Sequence, residues 1–310
     1  MHLLGLVLLF AATCYAVCLS ADVVVRNVRT LGQNLGLRSF WLGIMLGLFT
    51  STPEFLVGLQ STIDGSTDLA VGNLLGGTVV LLALVCGLSL VAERTVEVEP
   101  AFSRLELVTV ACYLLLPLPL AVSGRVGSFA GLVLVGCYLG LLWLFAQGRR
   151  GMPTLTLQGD HQNFRLGAGA VAGLAALLVL SRFLVSEAES LAGSLGVPTF
   201  MVGLLVLALG TNLPEITIAI RAWRKRAGEL SLGNIIGSAI ANSFIIGILA
   251  LLHPIVVPLG RSFTLAALGL VVVVAVFAVA AWSGRRLTRV EGLLLVAVYF
   301  SFLFLQLAQA

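Results

Sequence analysis

The chain has 310 residues, of which 59% are apolar and only 10% charged, with a net charge of +4 and a mean hydropathy of +1.09. Soluble domains carry about 25% charged residues, so this composition excludes an ordinary globular domain and points to a polytopic membrane protein. No Lys/Arg patch is interleaved with aromatics, which excludes nucleic-acid binding, and the five cysteines (Cys14, Cys18, Cys86, Cys112, Cys137) all fall in apolar runs with neither disulfide nor metal-ligand spacing.

Ten spans are predicted in chain order, at 2–21, 40–62, 68–91, 104–122, 126–146, 165–185, 198–220, 230–252, 263–282 and 289–307. The first resembles a signal peptide but lacks a basic leading region, and the second half has an equivalent span before its own motif, so the expectation is that it is retained. The longest connection, 147–164, is polar and separates a first repeat (1–146) from a second (165–310). Of the 18 Lys and Arg residues, all but Arg125, Arg182 and Arg261 belong to connections after odd-numbered spans. By the positive-inside rule both termini lie outside and the central connection lies in the cytoplasm. Five spans per half send the second half through the membrane in the opposite sense, an inverted repeat with a binding region near the midplane.

The second and seventh spans carry the repeat itself. Thr50-Ser51-Thr52-Pro53-Glu54 recurs as Thr211-Asn212-Leu213-Pro214-Glu215, and Gly72-Asn73 with Gly76 recurs as Gly233-Asn234 with Gly237, all under a gapless shift of 161 residues. Acids inside membrane spans are expensive, and their default reading is an ion or proton site. A proline there removes a donor and crowds the carbonyl four residues back, so Pro53 frees the carbonyl of Phe49 and Pro214 that of Gly210. Free carbonyls, the hydroxyls of Thr50 and Thr211, and the carboxylates of Glu54 and Glu215 are hard oxygen ligands suited to Na+ or Ca2+. In the eighth span Asn234, Ser238 and Asn242, spaced i, i+4, i+8, share one face; the matching first-half residues Asn73, Gly77 and Leu81 are poorer in ligands.

Present twice in a ten-span chain, this pattern resembles the cation/Ca2+ antiporter superfamily, whose best-known branch is the sodium/calcium exchangers. The resemblance covers nearly the whole chain in topology and about 45 residues per half in motif. It implies an all-α integral membrane protein of ten transmembrane helices in two inverted five-helix repeats, with a central site that takes Na+ and Ca2+ in turn. Carried over by position, Thr50, Ser51, Glu54, Asn73, Thr211, Glu215, Asn234 and Ser238 line that site. Asn242 is the neutral choice where an acid or amide is expected, and Asn212 replaces a serine. Gly76-Gly77-Thr78 replaces the usual Gly-Ser-Asn, and Leu81 replaces a polar ligand. The resemblance therefore implies two carboxylates and fewer ion positions than usual. By the same analogy, the first and sixth spans slide over the core as gates.

The expected activity is secondary-active antiport of Ca2+ against Na+ or H+, with no cofactor, no ATP-binding motif and no enzyme chemistry. The partners are inorganic cations and the lipid bilayer of the cell membrane (inner or plasma), and the chain is expected as a monomer or homodimer. Two other readings stay open: a non-transporting homologue that binds cations, motivated by Gly77 and Leu81, and an intramembrane hydrolase using Glu54 and Glu215 as an acid–base pair. The glycines are expected to serve close helix packing. The run Arg221, Arg224, Lys225 and Arg226 is expected to set topology.

Overall fold

A computed structural model describes residues 3–34, 44, 47–93, 95–97, 103–148, 161–225, 228–284 and 286–309. Without water to satisfy the backbone, apolar runs must form helices. They do so in α1 (Leu3–Asn34), α2 (Thr52–Ile63), α3 (Thr67–Glu93), α4 (Arg104–Leu115), α5 (Pro117–Leu120) and α6 (Ser128–Gly148). The second half contributes α7 (His161–Leu195), α8 (Thr199–Thr211), α9 (Leu213–Lys225), α10 (Gly228–Leu252), α11 (Arg261–Gly284) and α12 (Arg289–Leu307). Four short strands, β1 (Thr95–Glu97), β2 (Arg125–Val126), β3 (Ile255–Val256) and β4 (Arg286–Thr288), lie in the connections.

Seven of these helices are individually long and apolar enough to cross a bilayer, and α8 with α9, meeting at 41°, makes an eighth among the described residues. Two predicted spans have another form. Span 104–122 is divided at Leu116 into α4 and α5, because Pro117 and Pro119 withdraw two backbone donors. Span 40–62 is represented by Ile44, helical Gly47–Thr50 and α2; its residues 40–43, 45 and 46 fall outside the described residues. So do most of the connection 147–164 and the basic residues Arg38, Arg94, Arg149, Arg150, Arg226 and Arg285.

The innermost helices are α3 and α10, with 83% and 78% of their apolar windows buried, against 28% for α1, α7 and α12. Lipid tails give helices no hydrophobic reason to associate, so close packing falls to small residues. Gly72 and Gly76 of α3 lie against the α8 backbone at Phe200 and Leu204, and Gly203 of α8 answers against Leu69 and Asn73. In the other half, a Cβ on Gly47 would stand 2.6 Å from the Gly237 carbonyl carbon. Further out, Gly131 of α6 packs on Gly247 of α10, while Gly292 of α12 packs on Gly87 of α3; Gly131 and Gly292 are related by the 161-residue shift.

α1 lies antiparallel along α7. Thr13 bonds Glu187 at 2.9 Å, Val24 meets Gly173, and Asn27 meets Gly169. Connections also meet one another: β1 pairs antiparallel with β4, and β2 with β3. Thr67 bonds the Val256 carbonyl and amide, each at 3.2 Å. Ser66 bonds Glu189, and Thr199 bonds Asp68. Two capping boxes start the helices that follow β1 and β4, Ser103 with Glu106 for α4 and Thr288 with Glu291 for α12.

Candidate functional site

Both motif spans break at the same place. Ser51 (φ −77°, ψ 10°) separates helical Gly47–Thr50 from α2, and Asn212 (φ −85°, ψ 10°) separates α8 from α9. Each break lies two residues before the proline of the Pro-Glu pair, where the missing proline donor weakens the preceding turn. The carbonyls that the prolines were expected to free are not left open, however. Phe49 accepts from the Thr52 hydroxyl at 2.7 Å, and Gly210 accepts from the backbone N–H of Asn212. A local hydroxyl or N–H satisfies each group before any ligand does.

The breaks carry the predicted side chains into the interior. All ten predicted site residues are buried, none more than 1% exposed. Thr50 Oγ1 lies 3.0 Å from Ser238 Oγ, and Ser238 Oγ lies 3.2 Å from Glu215 Oε1. Thr50, Ser51 and Ser238 all reach the Gly47 carbonyl, at 3.0, 2.9 and 3.2 Å. Across the repeat boundary, Thr211 donates to Asn73 Oδ1 at 3.2 Å. The pairing is reciprocal: the Thr211 hydroxyl approaches Glu54, and the Thr50 hydroxyl approaches Glu215. Asn242 donates to Thr78 Oγ1 at 3.3 Å, and Asn212 to the Ala208 carbonyl at 2.8 Å. Asn234 is brought to the same depth, but its amide makes no hydrogen bond among the described residues.

What these groups lack defines the chemistry. Both oxygens of Glu54, Oε2 of Glu215, and the amide oxygens of Asn212, Asn234 and Asn242 are buried without a hydrogen-bond partner among the described residues. No Lys, Arg or His is among the buried polar residues described. Two carboxylates from opposite halves are therefore buried together with no cationic side chain to balance them among the described residues, an arrangement suited to an incoming metal ion or proton. No group of three or more His, Cys, Asp or Glu converges among the described residues, so any ion held here takes neutral oxygens beside the two acids. Sequence reasoning did not single out Thr78 or the Gly47 carbonyl as participants. Gly47 aligns with Ala208 under the repeat shift, so a small residue in both halves was the available signal.

The sequence model of the sodium/calcium exchanger protein family matches this chain twice, over residues 5–147 and 166–308. The chain belongs to that family. Its members are membrane ion antiporters, which leaves the hydrolase reading without support. Among its relatives, the putative antiporter CaxA of Alkalimonas amylolytica is 29% identical over 302 residues, covering 92% of this chain and 93% of that protein. The fold is that of the sodium-calcium exchanger NCX_Mj, here in crystals soaked with 10 mM Na+ and 10 mM Sr2+ (TM-score 0.70, 20% identity, 97% of each chain). It is shared also with the H+/Ca2+ exchanger CAX (TM-score 0.78, 16% identity, 98% of this chain and 87% of that one).

Proposed function

We propose that this family member exchanges Ca2+ for Na+ or H+ by alternating access at one site between the repeats, lined by Thr50, Ser51, Glu54, Asn73, Thr211, Asn212, Glu215, Asn234, Ser238 and Asn242. One observation carries the reading: Glu54 and Glu215, equivalent residues of the two halves, are both fully buried with no cationic side chain buried beside them among the described residues. Two negative charges match one Ca2+ or two monovalent ions, so the competing cations replace one another. The names of the solved exchangers agree with this ion set, and that of CaxA with antiport. A proline-broken span at each acid supplies the irregular backbone that transporters use at their substrate sites.

The membrane path that goes with this reading has ten crossings, divided as 1–146 and 165–310 around the connection 147–164. Counting sides supports it. The antiparallel packing of α1 on α7 sets Asn34 at the His161 end of α7, whereas Ser66 bonds Glu189 near the other end, so one crossing separates them. That crossing is α2 with the segment before it. The Thr67–Val256 and β1–β4 contacts each demand an even number of crossings between their partners. That number is even only if α4 and α5 together cross as well. Five crossings before the connection then invert the second half. The antiparallel first helices α1 and α7, and the exchanged contacts Gly131–Gly247 and Gly292–Gly87, fit a two-fold axis in the membrane plane. With the basic connections in the cytoplasm, both termini face outward from the cell membrane. The α1–α7 pair, little buried and packed on the motif helices, is the element that slides to open each side in turn.

Radioactive Ca2+ uptake into proteoliposomes, driven first by an outward Na+ gradient and then by an outward proton gradient, tests the reading. Uptake under one gradient, abolished in both Glu54→Gln and Glu215→Gln, is the expected result. Uptake that survives in either variant, or no uptake in folded protein under either gradient, refutes it.

A further inference from the structure

The two halves build the same contact with different side chains. At one crossing the first half contributes Ser51 and the second half Ser238; at the other, the equivalent positions are Asn212 and Gly77. Ser51 Oγ donates to the Gly47 carbonyl four residues back at 2.9 Å, and Asn212 Nδ2 makes the same bond to Ala208 at 2.8 Å. Asn212 thus keeps the serine's bond and extends a carbonyl oxygen beyond it. The space for that extension comes from Gly77: a Cβ there would stand 3.0 Å from Asn212 Nδ2 and 2.9 Å from Asn242 Nδ2.

The orientation of both amides follows from their partners. Ala208 offers only a carbonyl, so Asn212 must turn its nitrogen to it. Thr78 commits its hydroxyl proton to the Leu74 carbonyl at 3.0 Å, so its oxygen can only accept from Asn242 nitrogen. Oδ1 of Asn212 and Oδ1 of Asn242 are then left buried and without a partner. Orphaned acceptors in a membrane interior call for a cation or a donor.

We infer that Asn212 replaces, from the opposite half, the side chain that Gly77 lacks, and that with Asn242 it forms a neutral, amide-oxygen subsite for a hard metal cation such as Ca2+ or Na+. The inference rests on the exchange reading above and adds to it a specificity-determining residue. Amide oxygens coordinate such ions without losing a proton, so this subsite contributes ligands whose strength does not change with pH, and the charge balance stays with Glu54 and Glu215. Gly77 and Asn212 form a volume-exchanging pair: a serine at 77 is compatible with a serine at 212, and a glycine with an asparagine.

A double-substitution cycle tests this. Gly77→Ser, Asn212→Ser and the double variant are compared for the Ca2+ KM of uptake and for the rise in Tm that Ca2+ produces in detergent. For contacting residues coupling of this kind reaches about tenfold or more. Each single variant is expected to raise KM by about tenfold, and the double to return within about threefold of the wild type. Asn212→Ala adds no bulk and is expected to weaken Ca2+ in the same direction, which keeps the test open if Gly77→Ser does not fold. An unchanged KM in Asn212→Ala, or a double variant no better than its worse single, overturns the inference while wild-type exchange stands. Wild-type protein with neither uptake nor a Ca2+-dependent Tm overturns both.

Discussion

Removing the Ser238 hydroxyl separates two roles for Glu215. Ser238 Oγ touches Thr50 Oγ1 at 3.0 Å, the Gly47 carbonyl at 3.2 Å and Glu215 Oε1 at 3.2 Å. One hydroxyl proton serves these acceptors, and Glu215 Oε2 already has no partner. In Ser238→Ala the carboxylate loses one of the two hydroxyls beside it, Thr50 being the other. A hydrogen bond to a charged group contributes about 1.5–3 kcal/mol, and each 1.4 kcal/mol is about tenfold in an equilibrium constant. If the hydroxyl orients Glu215 and then turns a lone pair to the bound ion, Ca2+ binding weakens by about tenfold or more. The assay is the Ca2+ KM of uptake, with Tm in detergent as the control for folding. A KM that falls would mean that Ser238 competes with the ion for Glu215, and an unchanged KM with unchanged Tm would mean that it does neither; either result refutes the reasoning. Glu54 offers the contrast. Its counterpart to Ser238 is Gly77, which has no hydroxyl to give, and neither Glu54 carboxylate oxygen makes a hydrogen bond among the described residues.

Other outcomes follow from the same geometry. Gly47→Ala sets a methyl 2.6 Å from the Gly237 carbonyl carbon and Ser238 nitrogen; backbone cannot yield as a side chain does, and overpacking of this kind costs about 1–3 kcal/mol, so Tm and uptake should both fall. A bound ion stabilises the folded state by about 2.7 kcal/mol at a hundredfold excess over Kd, so Ca2+ should raise the Tm of the wild type and leave Glu54→Gln and Glu215→Gln unmoved. Thr13→Val strips the hydroxyl that Glu187 uses between α1 and α7, leaving a buried carboxyl short of a partner at a cost of about 1–3 kcal/mol; a lower Tm is expected, with Ca2+ affinity kept.

Much of this was legible in the sequence because the informative residues are expensive where they stand. Glu54 and Glu215 beside prolines in apolar runs have few structural explanations, and the 161-residue register tied them together before any coordinates. Hydropathy found the apolar runs but not how the chain breaks within them. It gave 104–122 as one span, whereas Pro117 divides it into α4 and α5. The π-helical turns at Val80–Val85 and Gly203–Leu207 leave no compositional trace, since they consist of ordinary apolar residues. The proline argument named the correct carbonyls but not their fate, because local partners at Thr52 and Asn212 were nearer than any ion. Gly77 and Asn212, read singly, look like one lost ligand and one unrelated replacement of a serine. Only the 3.0 Å at which a Cβ on Gly77 would meet Asn212 Nδ2 across the repeat boundary joins them into one exchange of volume.

The central claim is that competing cations share one carboxylate pair, and calorimetric Ca2+ titration of purified protein at several Na+ concentrations and pH values tests it most directly. The account predicts one Ca2+ per chain, an apparent Kd that rises with Na+ or with protons, and loss of binding in Glu54→Gln and Glu215→Gln. Ca2+ bound together with the counter-ion, or retained in both variants, would contradict it.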